Sequence, residues 1–568
     1  MSDDANRDIA DQAAEQLGPE ASLFPELDSA LLNRSLLRSL RAASANPAAV
    51  GLVALQAMVE AGWATAAMAA RALGAEVEGP ADREVDRRFK DPAWENNFLF
   101  YGVKQAYGIL GHTFTDLVAL GETDPISDEK AQMYAQLIVD AMAPTNFFLT
   151  NPTAIKRAFD TGGLSVFRGA RNAMDDVLHN KGMPRQIDED AFTVGEDLAV
   201  TPGKVVFRND LMEILQYEPR TEAVREVPLL LSPPWINKYY IMDLSPNRSF
   251  AEWAIEHGQT VFAISYRNPG TEMRDTSLED YLINGPRTAI DVVTEITGAE
   301  KVNVAGVCLG GLMTAVLAAY LQAEGDDRIG SLTLMNTLLD YSEPGQLGAF
   351  TDEETVQRLE EKMAKRGYLE GSEMRGTFDI LRANDLIFNY VVNNWLLGED
   401  PPAFDILAWN SDSTRMPADM HSFYLRSFYM ENLLVHGGLE LGGQPIRLDN
   451  VKNDTFMVAA VNDHIVPWKG SYAGTQMLGG DVDFLLTSSG HIAGIVNPPS
   501  PKAHYFLADE YPAHPDEWAA LADRHEGSWW EPWAQWISSR SGASVPPPSM
   551  GSEKHPPLDD APGRYVHE

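Results

Sequence analysis

Cysteine is nearly absent from this sequence, which contains a single one, Cys308, among 568 residues. One cysteine cannot form an intrachain disulfide, so we expect a protein of the reducing cytoplasm. The opening residues, MSDDANRDIADQ, are acidic and lack the basic and apolar regions of a secretory signal peptide, which favours the same location. The sequence contains no internal repeat. It also lacks the spacing of zinc ligands, and we therefore expect no bound metal.

Positive charge is scarce as well. Lysine and arginine number 44 against 82 aspartates and glutamates, which gives a formal net charge of −38. Such a chain lacks the cations that neutralise phosphates, and this excludes nucleic acid as a partner. Long hydrophobic runs are missing too, because the longest apolar stretch, Ala48 to Ala75, is interrupted by Glu60 and Arg71. We expect an amphipathic or buried helix there and no transmembrane segment.

Two patterns divide the chain. Residues 1–200 have a mainly helical pattern with alanine-rich periodic stretches. From residue 201 onward, β and α signals alternate, beginning with a hairpin signal at Asn209-Asp210. This alternation is typical of a mostly parallel, doubly wound sheet that opens with an antiparallel hairpin. The eight predicted strands are Val205–Arg208, Met212–Tyr217, Val227–Leu231, Thr260–Ser265, Val302–Ala305, Ser331–Met335, Phe456–Val461 and Val482–Thr487.

The gap between the sixth and seventh predicted strands is too long for one crossover. We therefore assign residues 342–438 to an inserted cap or lid subdomain, of the kind that closes over a site. The sheet domain is then built in two parts, residues 201–341 and residues 439–544. Residues 545–568 form a proline-rich C-terminal tail that we expect to be extended.

The sharpest motif is Gly306-Val307-Cys308-Leu309-Gly310-Gly311, between a predicted strand and an apolar helix. It matches the nucleophile elbow of the α/β-hydrolase fold, with Cys308 in place of the usual serine. Glycines permit the strained turn, and the dipole of the following helix favours a thiolate. The ordinary alternative is a small buried cysteine in a glycine-rich turn. The register of strand, turn and helix favours the nucleophile and an α/β-hydrolase fold.

A nucleophile of this kind needs an acid and then a base later in the chain. Asp463 follows the seventh predicted strand and His491 follows the eighth, so we predict Asp463 as the orienting acid and His491 as the general base. His464 is a rival base, but its adjacency to Asp463 strains a bond between them, and we expect an auxiliary role. Asp291 and Asp340 are alternative acids that we expect to be structural.

The reaction also needs two N–H groups that bind the oxyanion. One comes from the residue after the nucleophile, Leu309. The other comes from the loop after an earlier strand, where Pro233 and Pro234 have no N–H. Trp235 and Ile236 are the candidates left, and we favour Ile236.

Several longer motifs resemble those of polyhydroxyalkanoate (PHA) synthases. They are GVCLGG, LLLSPPWINKYYIMDLSPNRS, TVFAISYRNP, VNDHIVPW and SGHIAGIVNPP, with TNFFLTNP and GSWWEPWAQW outside the catalytic fold. The resemblance implies polymerisation of (R)-3-hydroxyacyl-CoA, with 3-hydroxybutyryl-CoA as the expected substrate, into a polyester with release of coenzyme A and without a cofactor. It also implies that Cys308 carries the growing acyl chain and that Asp463 and His491 complete the triad.

The same resemblance implies a homodimer joined through the lid subdomain and attached to cytoplasmic PHA granules, where granule-associated proteins are further partners. The GHIAG form at Gly490–Gly494 favours the short-chain class I type. GVCLGG departs from the commoner G-Y-C-x-G-G form, and the chain length also suits the medium-chain class II. Both classes stay open.

A cysteine nucleophile suits this chemistry. Ordinary thiols have similar pKa values, so moving an acyl group from coenzyme A to a cysteine is nearly thermoneutral and keeps the thioester activated. Attack by a hydroxyl then gives a more stable oxygen ester. The alternative functions are a cysteine-dependent PHA depolymerase or acyl-CoA thioesterase of the same fold, and a granule scaffold with a decayed site. The WINKYY segment and the N-terminal region favour the synthase.

Overall fold

A computed structural model of the protein describes residues 29–568, apart from 84, 122, 123 and 189. The acidic segment MSDDANRDIADQ lies outside the described residues. The chain forms two compact units. The helical unit contains the residues up to Asp188 together with Glu373–Ala403, and the sheet unit contains Glu189–Ser372 together with Phe404–Glu568.

Polar caps followed by proline fix where three helices of the helical unit begin. The side chains of Asn46, Asp124 and Asn151 each accept a hydrogen bond from the backbone N–H three residues further on, and a proline follows each of them. The side-chain oxygen satisfies a free N–H of the first turn, and proline supplies a helical φ where no N–H is needed. The main helices are Ser29–Ser44, Pro47–Ala72, Phe98–Ala119, Pro125–Ala141, Pro152–Asp160 and Leu164–His179, with short helical turns at Pro80–Asp82, Arg87–Phe89, Ala93–Asn96, Pro144–Asn146 and Phe148–Thr150.

The long apolar stretch forms the helix Pro47–Ala72, which packs beside Phe98–Ala119. Of its residues only Ala64 and Ala67 are buried, so the buried alternative of the expected amphipathic or buried helix is wrong. In the described part of the chain it is the one helix long and apolar enough to cross a membrane, a criterion of length and composition that core helices and signal sequences also meet. Several large side chains on it are more than half exposed, namely Leu52, Leu55, Met58 and Val59.

Residues 342–438, expected as one inserted subdomain, are divided between the two units. The middle part packs with the helical unit, where Ile387 joins an apolar cluster with Leu137. Trp395 also donates from Nε1 to the buried carboxylate of Asp176, 2.7 Å away. The two flanks of the insertion belong to the sheet unit. The middle part is formed by Gly371–Leu381, Asn384–Phe388 and Val391–Leu396, the last two wound as π-helix.

The sheet has ten strands in the order β1-β2-β4-β3-β5-β6-β7-β8-β9-β10. Strands β3 to β8 are mutually parallel, while β1, β2, β9 and β10 pair antiparallel. All eight predicted strands are present to within two residues at either end, which confirms the predicted fold class. The strands are β1 Gly203–Arg208, β2 Met212–Tyr217, β3 Leu229–Ser232, β4 Val261–Tyr266, β5 Val302–Val307, β6 Ile329–Met335, β7 Asp454–Ala460, β8 Val482–Thr487, β9 His504–Leu507 and β10 Asp523–Glu526.

Burial explains which strands the sequence revealed. β3 and β4 are buried along their whole length and consist mostly of apolar residues, as is typical of parallel strands covered on both faces. β2 and β5 are equally buried but include the polar residues Glu213 and Asn303. β10, by contrast, is exposed throughout and contains no apolar residue, so it left no pattern to detect. The helices of the sheet unit are Phe250–Glu256, Leu278–Leu282, Thr288–Thr297, Leu309–Glu324, Glu353–Arg366, Asp405–Ser411, Ala418–Tyr424, Leu433–His436, Trp468–Ala473, Pro515–Leu521 and Trp530–Ser538, with π-helical turns at Ile283–Arg287 and Leu425–Met430.

The C-terminal residues lie along the edge of the sheet. The N–H of Leu558 donates to the carbonyl of Val205 on β1 at 2.8 Å, and the N–H of Val205 donates to the carbonyl of Asp559 at 2.9 Å. This stretch is therefore an extended, antiparallel neighbour of β1. It ends in the helical turn Tyr565–His567, in which Val566 is buried.

Candidate active site

Cys308 lies at the turn between β5 and the helix Leu309–Glu324, and its thiol is partly buried. Its φ of +53° is positive, a conformation that a residue with a side chain rarely adopts. The backbone N–H of Cys308 donates to the carbonyl of Met335 on β6, 2.8 Å away, which holds the turn against the neighbouring strand. This is the strained turn that the elbow motif predicts.

Two glycines leave room for the turn. A Cβ at Gly306 would lie 2.3 Å from the carbonyl oxygen of Gly310, and a Cβ at Gly310 would lie 2.1 Å from the carbonyl oxygen of Ser232. Both distances are far below van der Waals contact, so neither position accepts a larger residue without a backbone shift. The glycine spacing of the motif is thus a direct consequence of close backbone approach at Cys308.

His491 and Asp463 meet beside this turn. His491 Nδ1 and Asp463 Oδ2 are 2.6 Å apart, and both side chains are buried. The other carboxylate oxygen, Asp463 Oδ1, accepts the backbone N–H groups of Ile465 and Val466 at 2.9 and 2.8 Å. These bonds fix the carboxylate, which in turn fixes the imidazole. The Cys308 thiol is close enough to the ring for its ionised form to raise the pKa of His491.

The charge environment of His491 is unusual. Burial by itself lowers the pKa of this imidazole, but the charges of Asp463 and of ionised Cys308, together with the hydrogen bonds to both, raise the pKa to about 10. At neutral pH the ring is therefore protonated when Cys308 is ionised. The carboxylate of Asp463 thus stabilises a protonated imidazole beside Cys308.

Asn336 is a site residue that the sequence analysis missed. It directly follows β6 with φ of +44°, and its side-chain Nδ2 donates to the backbone carbonyl of His491. Its own N–H donates to the carbonyl of Val458 on β7 at 2.7 Å. The side chain therefore ties the histidine loop to the sheet. An asparagine just past a parallel strand, where positive φ is tolerated, was the available signal.

The two predicted oxyanion donors lie on adjoining segments. Leu309 begins its helix, so its N–H has no carbonyl one turn earlier to bind. Ser232 at the end of β3 pairs in register with Gly306 at the elbow, which brings the loop containing Ile236 to the same edge of the sheet. The close approach of the Gly310 backbone to the carbonyl of Ser232 supports the same placement of the loop. The assignment of Ile236 and Leu309 as oxyanion donors remains a prediction.

An aromatic cluster lies near the thiol. We define it as Trp235, Tyr341, Tyr424, Phe428 and Tyr429, whose rings contact one another at centroid distances of 4.8 to 6.2 Å. Burial raises the pKa of its three tyrosines, and ionised Cys308 raises the pKa further, so the phenols are within electrostatic range of the thiol. Such a cluster creates an apolar environment with a few hydroxyl groups.

The alternative acids bind other partners. Asp291 forms an ion pair with Arg328 at 2.7 Å, and Asp340 accepts a hydrogen bond from Asn432 at 2.8 Å. His464 is half-buried beside the predicted acid, and its auxiliary role remains a prediction. Over the described ranges, no group of three or more His, Cys, Asp or Glu side chains is arranged to hold a metal ion.

Enzymes of the α/β-hydrolase class take an acyl group onto an elbow nucleophile at this edge of the sheet. The strand order and the turn at Cys308 place this chain in that class, and residues 236–498 match the sequence model described as alpha/beta hydrolase fold. Residues 85–254 match a second model, described as the N-terminus of poly-beta-hydroxybutyrate polymerase.

The chain belongs to the poly(3-hydroxyalkanoate) polymerase family. It is 43% identical over 524 residues to the poly(3-hydroxyalkanoate) polymerase of Methylorubrum extorquens, covering 90% of this chain and 86% of that protein. It is 41% identical over 485 residues to poly(3-hydroxyalkanoate) polymerase 1 of Ectopseudomonas oleovorans, covering 85% of this chain and 86% of that protein. It is 40% identical over 500 residues to the poly(3-hydroxyalkanoate) polymerase subunit PhaC of Cupriavidus necator, covering 87% of this chain and 84% of that protein.

Proposed function

We propose that this chain polymerises (R)-3-hydroxyacyl-CoA into a polyester with release of coenzyme A, and that Cys308 carries the acyl group. Family membership supports the polymerase activity. The observation that carries the mechanism is the contact between His491 Nδ1 and Asp463 Oδ2 at 2.6 Å, with the ring within electrostatic range of Cys308. No metal or organic cofactor is required by these steps.

In the first step, the Cys308 thiolate attacks the carbonyl carbon of the acyl-CoA thioester. A new carbon–sulfur bond forms to Cys308 as the bond to the coenzyme A sulfur breaks, and the imidazolium of His491 protonates the leaving thiolate. The negative oxygen of the intermediate is stabilised by the N–H groups of Leu309 and Ile236. One thioester replaces another, so the step is nearly thermoneutral.

In the second step, the hydroxyl of another 3-hydroxyacyl group attacks the thioester on Cys308. His491, now neutral, takes the hydroxyl proton, and the thiolate of Cys308 leaves. The product is an oxygen ester, which is more stable than the thioester that it replaces. Asp463 stabilises the imidazolium that forms in this step. Repetition of the two steps lengthens the chain by one unit at a time.

Water competes with the hydroxyl in the second step, and hydrolysis there would make the enzyme a thioesterase or depolymerase. The aromatic cluster supports the polymerase, because its rings place apolar surface within electrostatic range of the thiol. A granule scaffold with a decayed site is not supported, because His491 still contacts the carboxylate of Asp463 and lies within electrostatic range of the Cys308 thiol.

The deciding experiment measures coenzyme A release from (R)-3-hydroxybutyryl-CoA and analyses the acyl product. Insoluble polyester that matches the coenzyme A released is the expected result. Free 3-hydroxybutyrate in its place would establish the thioesterase. Parallel assays with ten-carbon 3-hydroxyacyl-CoA determine the substrate class, and we expect the four-carbon substrate to react faster, as in the short-chain class I type.

We further propose that the protein is a cytoplasmic homodimer bound to the surface of PHA granules. The exposed apolar side chains of Leu52, Leu55 and Met58 on the helix Pro47–Ala72 support binding to a polyester surface. Replacing these three residues by glutamate should reduce sedimentation with isolated granules while coenzyme A release in solution persists. Unchanged sedimentation would contradict this part of the proposal, and the mass in solution tests the dimer.

A further inference from the structure

Lys238 is a buried lysine that the proposed mechanism does not use. It lies two residues after Ile236 in the loop that follows β3, and 2% of it is exposed to solvent. Its Nζ donates to the backbone oxygens of Tyr565 and Glu568, at 3.4 and 2.7 Å. A buried ammonium group is costly unless it is hydrogen-bonded. Burial lowers the pKa of Lys238, and the nearby charges of Asp412 and Glu568 act in the opposite direction.

Residues 558–568, here termed the C-terminal segment, are anchored independently of Lys238. The N–H groups of Arg564 and Tyr565 donate to the buried carboxylate of Glu213 on β2, at 2.9 and 3.0 Å. The hydroxyl of Tyr565 also donates to the carbonyl of Asn209, 2.6 Å away, in the hairpin between β1 and β2. The sheet therefore fixes the segment, and the segment offers fixed acceptors to Lys238.

The loop is held from its other side as well. Trp409 Nε1 donates to the backbone carbonyl of Lys238 at 2.8 Å, and the hydroxyl of Thr414 donates to the carbonyl of Trp235 at 3.2 Å. These bonds hold the residues on both sides of Ile236. The lysine side chain adds a tie to the C-terminal segment.

We propose that Lys238 and the C-terminal segment form a latch that positions the N–H of Ile236 for the oxyanion. Lys238 is then a positioning residue for acyl transfer. An oxyanion donor is effective only within a few tenths of an ångström of its ideal distance, so a loop released on one side loses much of its effect. Cys308 and His491 lie after other strands and are untouched by the latch. The inference rests on the proposed function.

The test exploits a reaction of Cys308 that forms no oxyanion. Alkylation by iodoacetamide is a direct displacement that needs the thiolate but not Ile236, and Cys308 is the single cysteine of the chain. We expect Lys238→Met, which keeps the length of the side chain but removes its donors, to lower kcat for coenzyme A release about tenfold. The KM and the alkylation rate should stay within about twofold of wild type, a split that a loss of folding would not produce.

Removal of residues 564–568 breaks the same latch from the other side. It should reproduce the split, and adding Lys238→Met to the truncation should lower kcat no further than the truncation alone, because the truncation has already removed the acceptors of Lys238. Lys204→Met is the matched control. Lys204 pairs with Asp560 of the same segment at the exposed edge of β1, away from the loop, and its loss should leave kcat unchanged.

Three outcomes would overturn the latch. The first is a kcat within about twofold of wild type in both latch variants. The second is alkylation that slows in parallel with coenzyme A release, since this would indicate a general structural role. The third is losses that add in the combined variant. A wild-type protein that releases no coenzyme A from any 3-hydroxyacyl-CoA would instead overturn the proposed function, and the latch with it.

Discussion

Two regions of the sheet unit bury a histidine to nearly the same extent with opposite results. His491 lies in the loop after β8. His421 lies in the helix Ala418–Tyr424, in the part of residues 342–438 that belongs to the sheet unit. Burial lowers the pKa of His421 to about 4. The pKa of His491 is about 10 despite the same burial, because a carboxylate and a thiolate flank the ring.

The comparison shows that charge partners, not burial, decide the state of a histidine here. It also gives the two rings opposite effects on stability. The folded pKa of His491 exceeds the ordinary value near 6.5, so its contribution is complete below that pH and is lost as the pH rises toward about 10. The folded pKa of His421 is depressed, so its contribution is complete above pH 6.5 and is lost as the pH falls toward about 4.

The largest effect is expected from removal of the thiol, which supplies one of the two charges that distinguish the regions. Cys308→Ser should abolish polymer formation, because a serine hydroxyl is far less acidic than a thiol and its acyl ester would not be activated. The measurement is polyester formed from (R)-3-hydroxybutyryl-CoA. In the same variant, imidazole titration by NMR should show a lower pKa for His491. Robust polymer from Cys308→Ser would refute the role of the cysteine.

Removal of the ring itself comes next. His491→Gln should reduce coenzyme A release about a thousandfold, the range typical for a general acid and base. Alkylation of Cys308 by iodoacetamide at pH 7 should slow as well, because no imidazolium remains to stabilise the thiolate. His464→Gln, in the neighbouring loop after β7, is the matched variant and should lose much less of the coenzyme A release activity. The reverse order of these two losses would make His464 the base.

The strands and the elbow were predictable because their signals are local. Buried parallel strands such as β3 and β4 give mostly apolar runs, and the turn at Cys308 needs glycines within two residues. Strand β10 was not predictable, since it is a fully exposed edge strand without an apolar residue. The division of the insertion also left no local sign, because Ile387 reaches Leu137 across 250 residues of sequence.

The site divides in the same way. Asp463 and His491 were placed by chain order, because each follows a strand whose carboxyl end lies at one edge of the sheet. Asn336 and Tyr341 share that edge after β6 but belong to no motif of the elbow, so only the folded chain brings them to the site. The opposite pKa shifts of His421 and His491 likewise depend on neighbours that are distant in sequence.

Neutralising the acid should make the His491 region resemble the His421 region. In Asp463→Asn, the amide carries no charge, so the pKa of His491 should fall and coenzyme A release should drop about a hundredfold. The sharper readout is the alkylation rate of Cys308 between pH 6 and pH 9. At the lower pH values it should be slower in the variant than in wild type, because less imidazolium remains beside the thiol. Identical profiles would show that Asp463 does not set the state of the ring.

The smallest effect on activity is expected at His421. His421→Leu should leave coenzyme A release within about twofold of wild type, because among the described residues its ring contacts the aromatic cluster only at Tyr424, with 6.3 Å between centroids, and its Nδ1 has no hydrogen-bond partner. Its effect on stability should depend on pH. As the pH falls from 7 to 4.5, the unfolded state of wild type binds a proton on His421 that the folded state does not bind, and this favours unfolding. The variant has no imidazole at this position and lacks the effect. The variant should therefore gain about 2 kcal/mol of stability relative to wild type over this range, from a depression of the pKa of His421 from 6.5 to about 4. Urea unfolding across this range, with the exposed His436→Leu as control, measures the difference. A constant difference between His421→Leu and wild type over these pH values would mean that the ring has a charge partner in the folded protein, and the contrast with His491 would fail.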